Sequence, residues 1–155
     1  MEIEGDFLME TRNILVEDYY KVIEVIDDWW GGRPMTHLLP RLFFEHFQST
    51  SYVIEHDNEL VAFIIGFISQ TNPQEAYIHF VGVSPQYRSL GYANDLYQLF
   101  FNQVRQLGCN KVRCITTPIN TGSVAFHEKM GFTVQLVKDY AGDGQDRILF
   151  SKQLV

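Results

Sequence analysis

The sequence is poor in basic residues. Its 155 residues include 12 lysines and arginines against 19 acidic residues, which gives a formal net charge of -7. A protein that neutralises many backbone phosphates needs a basic face, so we expect no nucleic-acid partner. The excess of acid instead favours modest electrostatic steering of cationic substrates.

Cysteines and long apolar runs are also scarce. Cys109 and Cys114 are the only cysteines, and no second pair or nearby histidine run completes a zinc site, so we expect buried free thiols and no metal. The longest apolar stretch, residues 60–68, is interrupted by Gly66 and is too short to cross a bilayer. The acidic first residues lack the basic and then apolar pattern of a secretory signal. Together these features predict a cytoplasmic protein with no membrane partner.

Apolar and aromatic residues, in contrast, are abundant. Hydrophobic residues make up 46% of the chain and aromatic residues 14%, enough to build a core and to argue against disorder. The length fits one domain, and no change in composition marks a boundary. We therefore predict a single domain over residues 1–155.

Hydrophobic periodicity and turn residues predict a mixed series of elements. The expected strands are residues 9–15, 51–56, 60–69, 76–83, 111–116, 132–137 and 147–154. The expected helices are residues 19–29, residues 38–47, a helix from Gly91 to Gly108, and residues 123–130. Because a helix connects residues 76–83 to residues 111–116, these two strands should be parallel. The predicted fold class is α+β, with a mixed, mostly antiparallel central sheet and helices on both faces.

The stretch V-S-P-Q-Y-R-S-L-G-Y-A-N, residues 83–94, lies where a strand ends and a helix begins. Gly91 can adopt backbone angles that a side chain would forbid. Backbone amides at the start of a helix attract phosphate oxygens. The pattern therefore predicts a turn that holds a pyrophosphate, with a plain strand-to-helix turn as the alternative.

Two ordered motifs carry a family resemblance. Residues 83–93 resemble the cofactor-binding motif V-x-P-x-x-R-x-x-G-x-G/A of the GCN5-related N-acetyltransferases (GNAT family). Residues 120–132, N-T-G-S-V-A-F-H-E-K-M-G-F, are similar to the family's N-x-x-A-x-x-F-Y-x-K-x-G-F segment. One predicted helix and one predicted strand separate the motifs, as in the family.

The resemblance implies the acyl-CoA N-acyltransferase fold and acetyl-CoA as the cosubstrate. Strand backbone at Val81 and Val83 would face the pantetheine arm, next to a local bulge, and the backbone amides of residues 88–94 would hold the pyrophosphate. Ser89 and Leu90 replace the family's common Gly and Lys, and Ala93 replaces Gly. Without the Lys, one side chain that could contact the 3′-phosphate is absent. The implied cofactor-binding residues are Val81, Gly82, Val83, Arg88, Ser89, Leu90, Gly91, Tyr92, Ala93, Asn94, Asn120, Ser123 and Phe126.

Two residues of the preceding strand are candidate bases. Strand alternation places Tyr77, His79 and Val81 on one face. The resemblance implies that His79 takes the proton of the attacking amine, directly or through water, with Tyr77 as the second candidate. It also implies that the Val81 amide polarises the thioester carbonyl. A hydrogen-bonded core histidine is the alternative for His79.

A third catalytic candidate and the acceptor site follow from the same resemblance. His127 stands where many family members have a tyrosine thought to protonate the leaving thiolate, and a polar packing residue is the alternative. Trp29, Trp30 and Arg33 lie in the elbow between the first two predicted helices. The resemblance implies that this elbow borders the acceptor site. Arg33 could pair with a substrate carboxylate. Packing of both tryptophans under the helix junction is the alternative.

These observations predict an N-acetyltransferase that moves an acetyl group from acetyl-CoA to a primary amine by direct attack in a ternary complex. The acceptor would be a small-molecule amine or a peptide amine. No Ser-His-Asp set or activated cysteine supports a covalent intermediate. The alternative is a noncatalytic acyl-CoA-binding or sensing module. The family's habit also implies a homodimer.

Overall fold

The computed structural model describes residues 9–155. Within this range the strands are β1 (Met9–Asn13), β2 (Tyr52–His56), β3 (Glu59–Ile68), β4 (Glu75–Val83), β5 (Lys111–Thr116), β6 (Thr133–Val137) and β7 (Arg147–Gln153). The α-helices are α1 (Asp18–Trp29), α2 (Leu42–His46), α3 (Tyr92–Gln106) and α4 (Thr121–Lys129). Short 3₁₀ turns occupy Thr36–Leu38, Gln48–Thr50 and Pro85–Tyr87. None of these helices is both long enough and apolar enough to span a membrane.

The seven strands form one sheet in the order β1-β2-β3-β4-β5-β7-β6. The pairs β1–β2, β2–β3, β5–β7 and β6–β7 are antiparallel. β4 and β5 are parallel, with Glu75 opposite Lys111 and Tyr77 opposite Arg113. The predicted mixed, mostly antiparallel sheet is therefore confirmed, as is the parallel pair that α3 connects.

The chain divides into two compact units. The first comprises the chain up to Phe67 together with His79–Gln103, and the second comprises Ile68–Ile78 and Val104–Val155. In the first unit, α1 buries Val22, Ile26 and Trp29, which recur at helical spacing and form its apolar stripe. This stripe belongs to a core that also contains Phe63 and Phe80.

The second unit has its own buried side chains. Val112 and Cys114 of β5 alternate inward, and Phe150 of β7 is fully buried. Phe132 and His127 join them, with 5% and 6% of their surface exposed. A histidine therefore lies among the apolar side chains of this unit.

One predicted helix is interrupted in the structure. Residues 38–47 were expected to be a continuous helix, but a 3₁₀ turn ends at Leu38 and α2 begins only at Leu42. Pro40 explains the break, because proline has no amide proton and disfavours helical angles in the residue before it. Accordingly, Leu39 has φ -134° and ψ 65°.

Candidate active site

The turn after β4 lies in the first unit and has the backbone geometry of an anion site. Ser89 and Gly91 have positive φ angles of 64° and 91°. The amide of Asp95 donates to the Gly91 carbonyl at 3.0 Å, so Gly91 opens the hydrogen-bond ladder of α3. Helix geometry leaves the amides of residues 92–94 without an intrahelical acceptor. These donors can bind phosphate oxygens.

Arg88 fixes this turn with its side chain. Its Nη2 donates to the Trp29 carbonyl at 2.5 Å, and its Nε donates to the Val83 carbonyl at 3.2 Å. The guanidinium therefore joins the end of α1 to the end of β4. Both nitrogens therefore donate to protein carbonyls and fix the position of the turn.

Two of the departures from the motif of the resembling family, at Ser89 and Leu90, have different consequences. Ser89 adopts the left-handed conformation that favours glycine, which explains in physical terms why glycine is common there. Leu90 is 63% exposed and presents no charge.

β4 carries the residues that the sequence assigns to the chemistry. Exposure alternates at every step from Glu75 to Val83, with Ala76, Ile78, Phe80 and Gly82 buried. Tyr77, His79, Val81 and Val83 thus share the other face, and the bulge expected near Val81 does not disturb this alternation.

Gly82 is required by close packing. A Cβ atom at this position would lie 2.7 Å from the Phe63 ring and 3.1 Å from the Trp30 ring. Any side chain would therefore displace an aromatic ring or the strand.

His79 is held by two contacts within the first unit. Its Nε2 lies 2.6 Å from the Leu38 carbonyl oxygen. Its ring stacks on Phe43, with the centroids 4.3 Å apart and the planes 5° from parallel. Because a carbonyl only accepts hydrogen bonds, the proton of the neutral ring lies on Nε2 and the lone pair lies on Nδ1.

The three residues predicted to bind the acceptor in the elbow after α1 differ in their exposure. Trp29 is 8% exposed and stacks with Phe63 at 6.1 Å. It therefore packs under the helix junction, as the alternative to an acceptor contact predicted. Trp30 packs on Phe80 at 4.9 Å and is partly exposed. Arg33 is exposed. The structure therefore places Trp29 in the core and leaves Trp30 and Arg33 accessible to a ligand.

Tyr77 lies in the second unit. Burial, followed by the charge of Tyr140, raises the pKa of the Tyr77 phenol to about 12. The phenol is therefore protonated near neutral pH and suits a hydrogen-bond donor better than a base. The sequence alone did not predict that Tyr140 lies near Tyr77, because Tyr140 belongs to the loop between β6 and β7 and is far from Tyr77 along the chain.

His127, also in the second unit, is enclosed by aromatic and polar neighbours. Its Nδ1 lies 2.7 Å from the Ser123 carbonyl, and its Nε2 lies 3.4 Å from the Cys114 sulfur. The ring stacks on Phe150 at 4.0 Å and meets Phe132 edge-on. Burial lowers the pKa of His127, although the hydrogen bond to Ser123 partly opposes this effect. A neutral, enclosed imidazole is a weak candidate for the predicted acid.

Cys114 contacts His127, which residue spacing in the sequence did not predict. The sequence predicts a buried free thiol, and the structure confirms one with 5% exposure. Burial raises the pKa of this thiol to about 12, so the thiol is protonated and donates toward the imidazole.

The second motif begins with a helix cap. The Asn120 Oδ1 accepts the Ser123 amide at 3.1 Å, and its Nδ2 donates to the Thr116 hydroxyl at 3.2 Å. Asn120 therefore starts α4 and connects it to the end of β5. Phe126 packs edge-on against His127 at 5.4 Å. Among residues 9–155, no group of three or more acidic, histidine or cysteine side chains is arranged to hold a metal ion.

The seven-stranded mixed sheet and the turn after its fourth strand match the fold class that the two sequence motifs imply. A model of the Acetyltransferase (GNAT) family matches residues 8–132 of the chain. The protein belongs to the GNAT family.

Particular relatives cover shorter stretches. Mycothiol acetyltransferase of Corynebacterium glutamicum is 38% identical over 73 residues, which cover 46% of this chain and 25% of the relative. L-2,4-diaminobutyric acid acetyltransferase of Nocardia farcinica is 30% identical over 84 residues, which cover 54% and 44%. The chain thus matches less than half the length of either relative.

The fold is similar over nearly the whole chain to a solved structure. The crystal structure of a GNAT-family protein from Desulfovibrio desulfuricans superposes with a TM-score of 0.83 and 17% identity, covering 95% of this chain and 99% of the other. This likeness confirms the predicted acyl-CoA N-acyltransferase fold.

Proposed function

We propose that the protein transfers an acetyl group from acetyl-CoA to a primary amine by direct attack in a ternary complex. The observation that carries this proposal is the turn after β4, where positive φ angles at Ser89 and Gly91 precede the open amides of α3 in a GNAT-family chain. Both relatives are named as acetyltransferases. Direct attack is favoured because Cys114, the thiol beside an imidazole, is buried and protonated.

The cofactor would be bound mainly by backbone groups. In the first unit, the amides of residues 88–94 hold the pyrophosphate, and the Val81 amide polarises the thioester carbonyl as negative charge develops on it. In the second unit, Asn120, Ser123 and Phe126 remain proposed contacts to the pantetheine arm, on the strength of the motif they form. No metal is required in this scheme.

His79 is the proposed base. Its neutral ring keeps a lone pair on Nδ1, because Nε2 donates to the Leu38 carbonyl. Tyr77 is proposed as a hydrogen-bond donor, since its raised pKa of about 12 keeps the phenol protonated. We do not retain His127 as the acid, because its pKa is lowered and its ring nitrogens face Ser123 and Cys114. The leaving thiolate would take its proton from water.

The acceptor is proposed to be a small-molecule or peptide amine that also carries a carboxylate. Support comes from Arg33, an exposed guanidinium in the elbow after α1. The relative named for L-2,4-diaminobutyric acid is consistent with an amino-acid acceptor. Trp30, which is partly exposed, is a second proposed contact.

The test is an assay of thiol release from acetyl-CoA with a panel of amines. We expect saturable turnover with at least one amine, and His79→Ala should lower kcat by about 100-fold while the KM for acetyl-CoA changes little. His46→Ala is the control, because His46 is exposed on α2. Saturable acetyl-CoA binding without thiol release on any amine would contradict the proposal and favour a sensing module.

Three properties of the whole protein complete the proposal. We infer a single domain, since the family match spans segments of both units. We infer a cytoplasmic location, since both cysteines are free thiols.

We infer a homodimer, because β6 ends the sheet and exposes 53% of Leu136. Light scattering tests the dimer: Leu136→Asp should halve the measured mass, and a monomeric wild type would refute it.

A further inference from the structure

A single carboxylate anchors the loop that contacts His79. Asp27 lies in the last turn of α1, and its Oδ1 accepts the Met35 amide at 2.8 Å, the Thr36 amide at 3.1 Å and the Thr36 hydroxyl at 3.1 Å. The hydrogen bond from the Met35 amide is the main cause that lowers the pKa of Asp27. The carboxylate thus fixes the start of the Thr36–Leu38 turn.

The same turn ends at the residue that contacts His79. The Leu38 amide donates to the Met35 carbonyl at 2.9 Å, which closes the turn. The Leu38 carbonyl then accepts the Nε2 proton of His79 at 2.6 Å. Two short steps therefore connect the Asp27 carboxylate to the imidazole.

We propose that Asp27 is a positioning residue for His79: by anchoring the Thr36–Leu38 turn, it selects the tautomer with the proton on Nε2 and leaves Nδ1 as the proton acceptor. This inference rests on the proposed function, in which His79 is the base. It goes further because it assigns the ring nitrogen and the residue that controls it.

The covalent geometry of the ring supports this assignment. Nε2 lies at the tip of the side chain and is occupied by Leu38, whereas Nδ1 is bonded to Cγ and lies on the side of the ring nearer to β4. Stacking on Phe43 fixes the ring plane. These two contacts therefore fix which ring nitrogen keeps the lone pair and the plane in which that nitrogen lies.

The chemical step balances with this nitrogen as the base. The amine nitrogen forms a C–N bond at the thioester carbonyl while its proton passes to Nδ1. The C–S bond then breaks, and coenzyme A leaves as a thiolate that takes a proton from water. His79 returns the proton to solvent through Nδ1, and the Nε2 proton stays on the ring throughout.

The experiment reads the tautomer directly. Two-bond ¹H–¹⁵N spectra of the free enzyme distinguish the two neutral forms, and His79→Gln identifies the His79 signals. We expect the Nε2-protonated form in the wild type and a mixture in Asp27→Ala, whose kcat should fall about tenfold with an unchanged KM for acetyl-CoA. Asp27→Asn keeps an oxygen acceptor and should retain the wild-type form. Asp28→Ala is the matched control, since Asp28 is exposed beside Asp27.

A second variant guards against misfolding. Asp27→Glu keeps the negative charge, but its longer side chain places the carboxylate oxygens one carbon further from the backbone of α1. It too should produce a mixture of the two His79 tautomers. A wild-type His79 protonated on Nδ1 would overturn the inference, as would an unchanged tautomer in folded Asp27→Ala or Asp27→Glu. Full activity of His79→Ala would instead overturn the proposed base, and the spectra would still decide whether Asp27 positions the ring.

Discussion

At the scale of single residues, Ser89 combines an unfavourable backbone conformation with a central place in the cofactor turn. Its φ of 64° lies in the left-handed region, which costs a non-glycine residue about 1–2 kcal/mol. Glycine removes that cost but makes the unfolded chain more flexible, which costs about 0.4–1 kcal/mol. We predict that Ser89→Gly raises the free energy of unfolding by about 0.5–1 kcal/mol in urea titrations.

Ser84 provides the matched control for this prediction. Its φ of -55° and ψ of 136° are comfortable for any residue, so Ser84→Gly gains nothing in the folded state and should lower the free energy of unfolding. Equal stabilities of the two variants would show that Ser89 is not strained. Acetyl-CoA affinity should be unchanged in Ser89→Gly, because the proposed donors are backbone amides.

His127 gives a pH-dependent prediction at the same scale. Burial lowers its pKa, so the unfolded chain binds the proton more readily than the folded chain. The stability that depends on a neutral His127 is fully present above the ordinary pKa of 6.5 and is lost as the pH falls below it. His127→Phe fills the same aromatic cluster and should flatten this loss between about pH 8 and pH 5 in urea titrations.

The control for the His127 prediction is a solvent-exposed histidine. His46 is 70% exposed, so His46→Phe should leave the pH dependence of stability as it is in the wild type. An unaltered slope in His127→Phe would mean that His127 is not desolvated in the folded protein.

At the scale of elements, an ion network with two buried carboxylates and two partly exposed cations joins β1, α1 and β2. Arg12 bonds to Asp18 at 2.8 Å and to Glu55 at 3.2 Å, and Lys21 bonds to Glu55 at 2.8 Å. Burial alone would raise the pKa of Asp18 and of Glu55. Hydrogen bonds from these cations, joined for Asp18 by the Leu15 amide, outweigh that effect and hold both pKa values below their ordinary range.

This network predicts a large cost for losing one carboxylate. Asp18 is 2% exposed, and Asp18→Asn removes one of the two carboxylates that pair with Arg12, so it should lower the free energy of unfolding by about 2 kcal/mol at neutral pH. Because the pKa of Asp18 is lowered, its contribution exists above the ordinary value of 3.8 and disappears as the pH falls below it. Wild type and variant should therefore converge in acid, as urea titrations at several pH values would show. Glu17→Gln, at an exposed neighbour, should change little, and a similar loss there would contradict the argument.

The elements also show what local sequence can and cannot predict. Alternation predicted β4 with the correct shared face for Tyr77 and His79, because a strand's period depends on adjacent residues alone. The helix expected at residues 38–47 was wrong in its first half, because Pro40 interrupts the helix that the apolar spacing predicts. That error mattered for the site, since the Leu38 carbonyl that contacts His79 is accessible only outside a regular helix.

At the scale of the whole molecule, ordered motifs predicted the family, whereas the contacts that tune the site were not predictable. The match over residues 8–132 confirms the family inferred from two short motifs. Arg88 and Trp29 are 59 positions apart, and His79 and Leu38 are 41 apart, so only the folded chain brings them together. Spacing could have suggested Ser123 beside His127, four residues on in the same helix, but not Cys114.

The net charge of -7 gives a prediction that concerns the chain as a whole. A negative protein attracts a cationic amine over distances of about 10 Å at low salt, and added salt screens this attraction. The value of kcat/KM for a diamino acid, which carries a net positive charge, should therefore fall severalfold between low and high ionic strength, while that for acetyl-CoA, an anion, should stay level or rise. A neutral acceptor that still carries one reactive amine is the comparison, and it should lack the decrease. If salt lowered kcat/KM equally for all three ligands, a general effect on the enzyme would replace steering as the explanation.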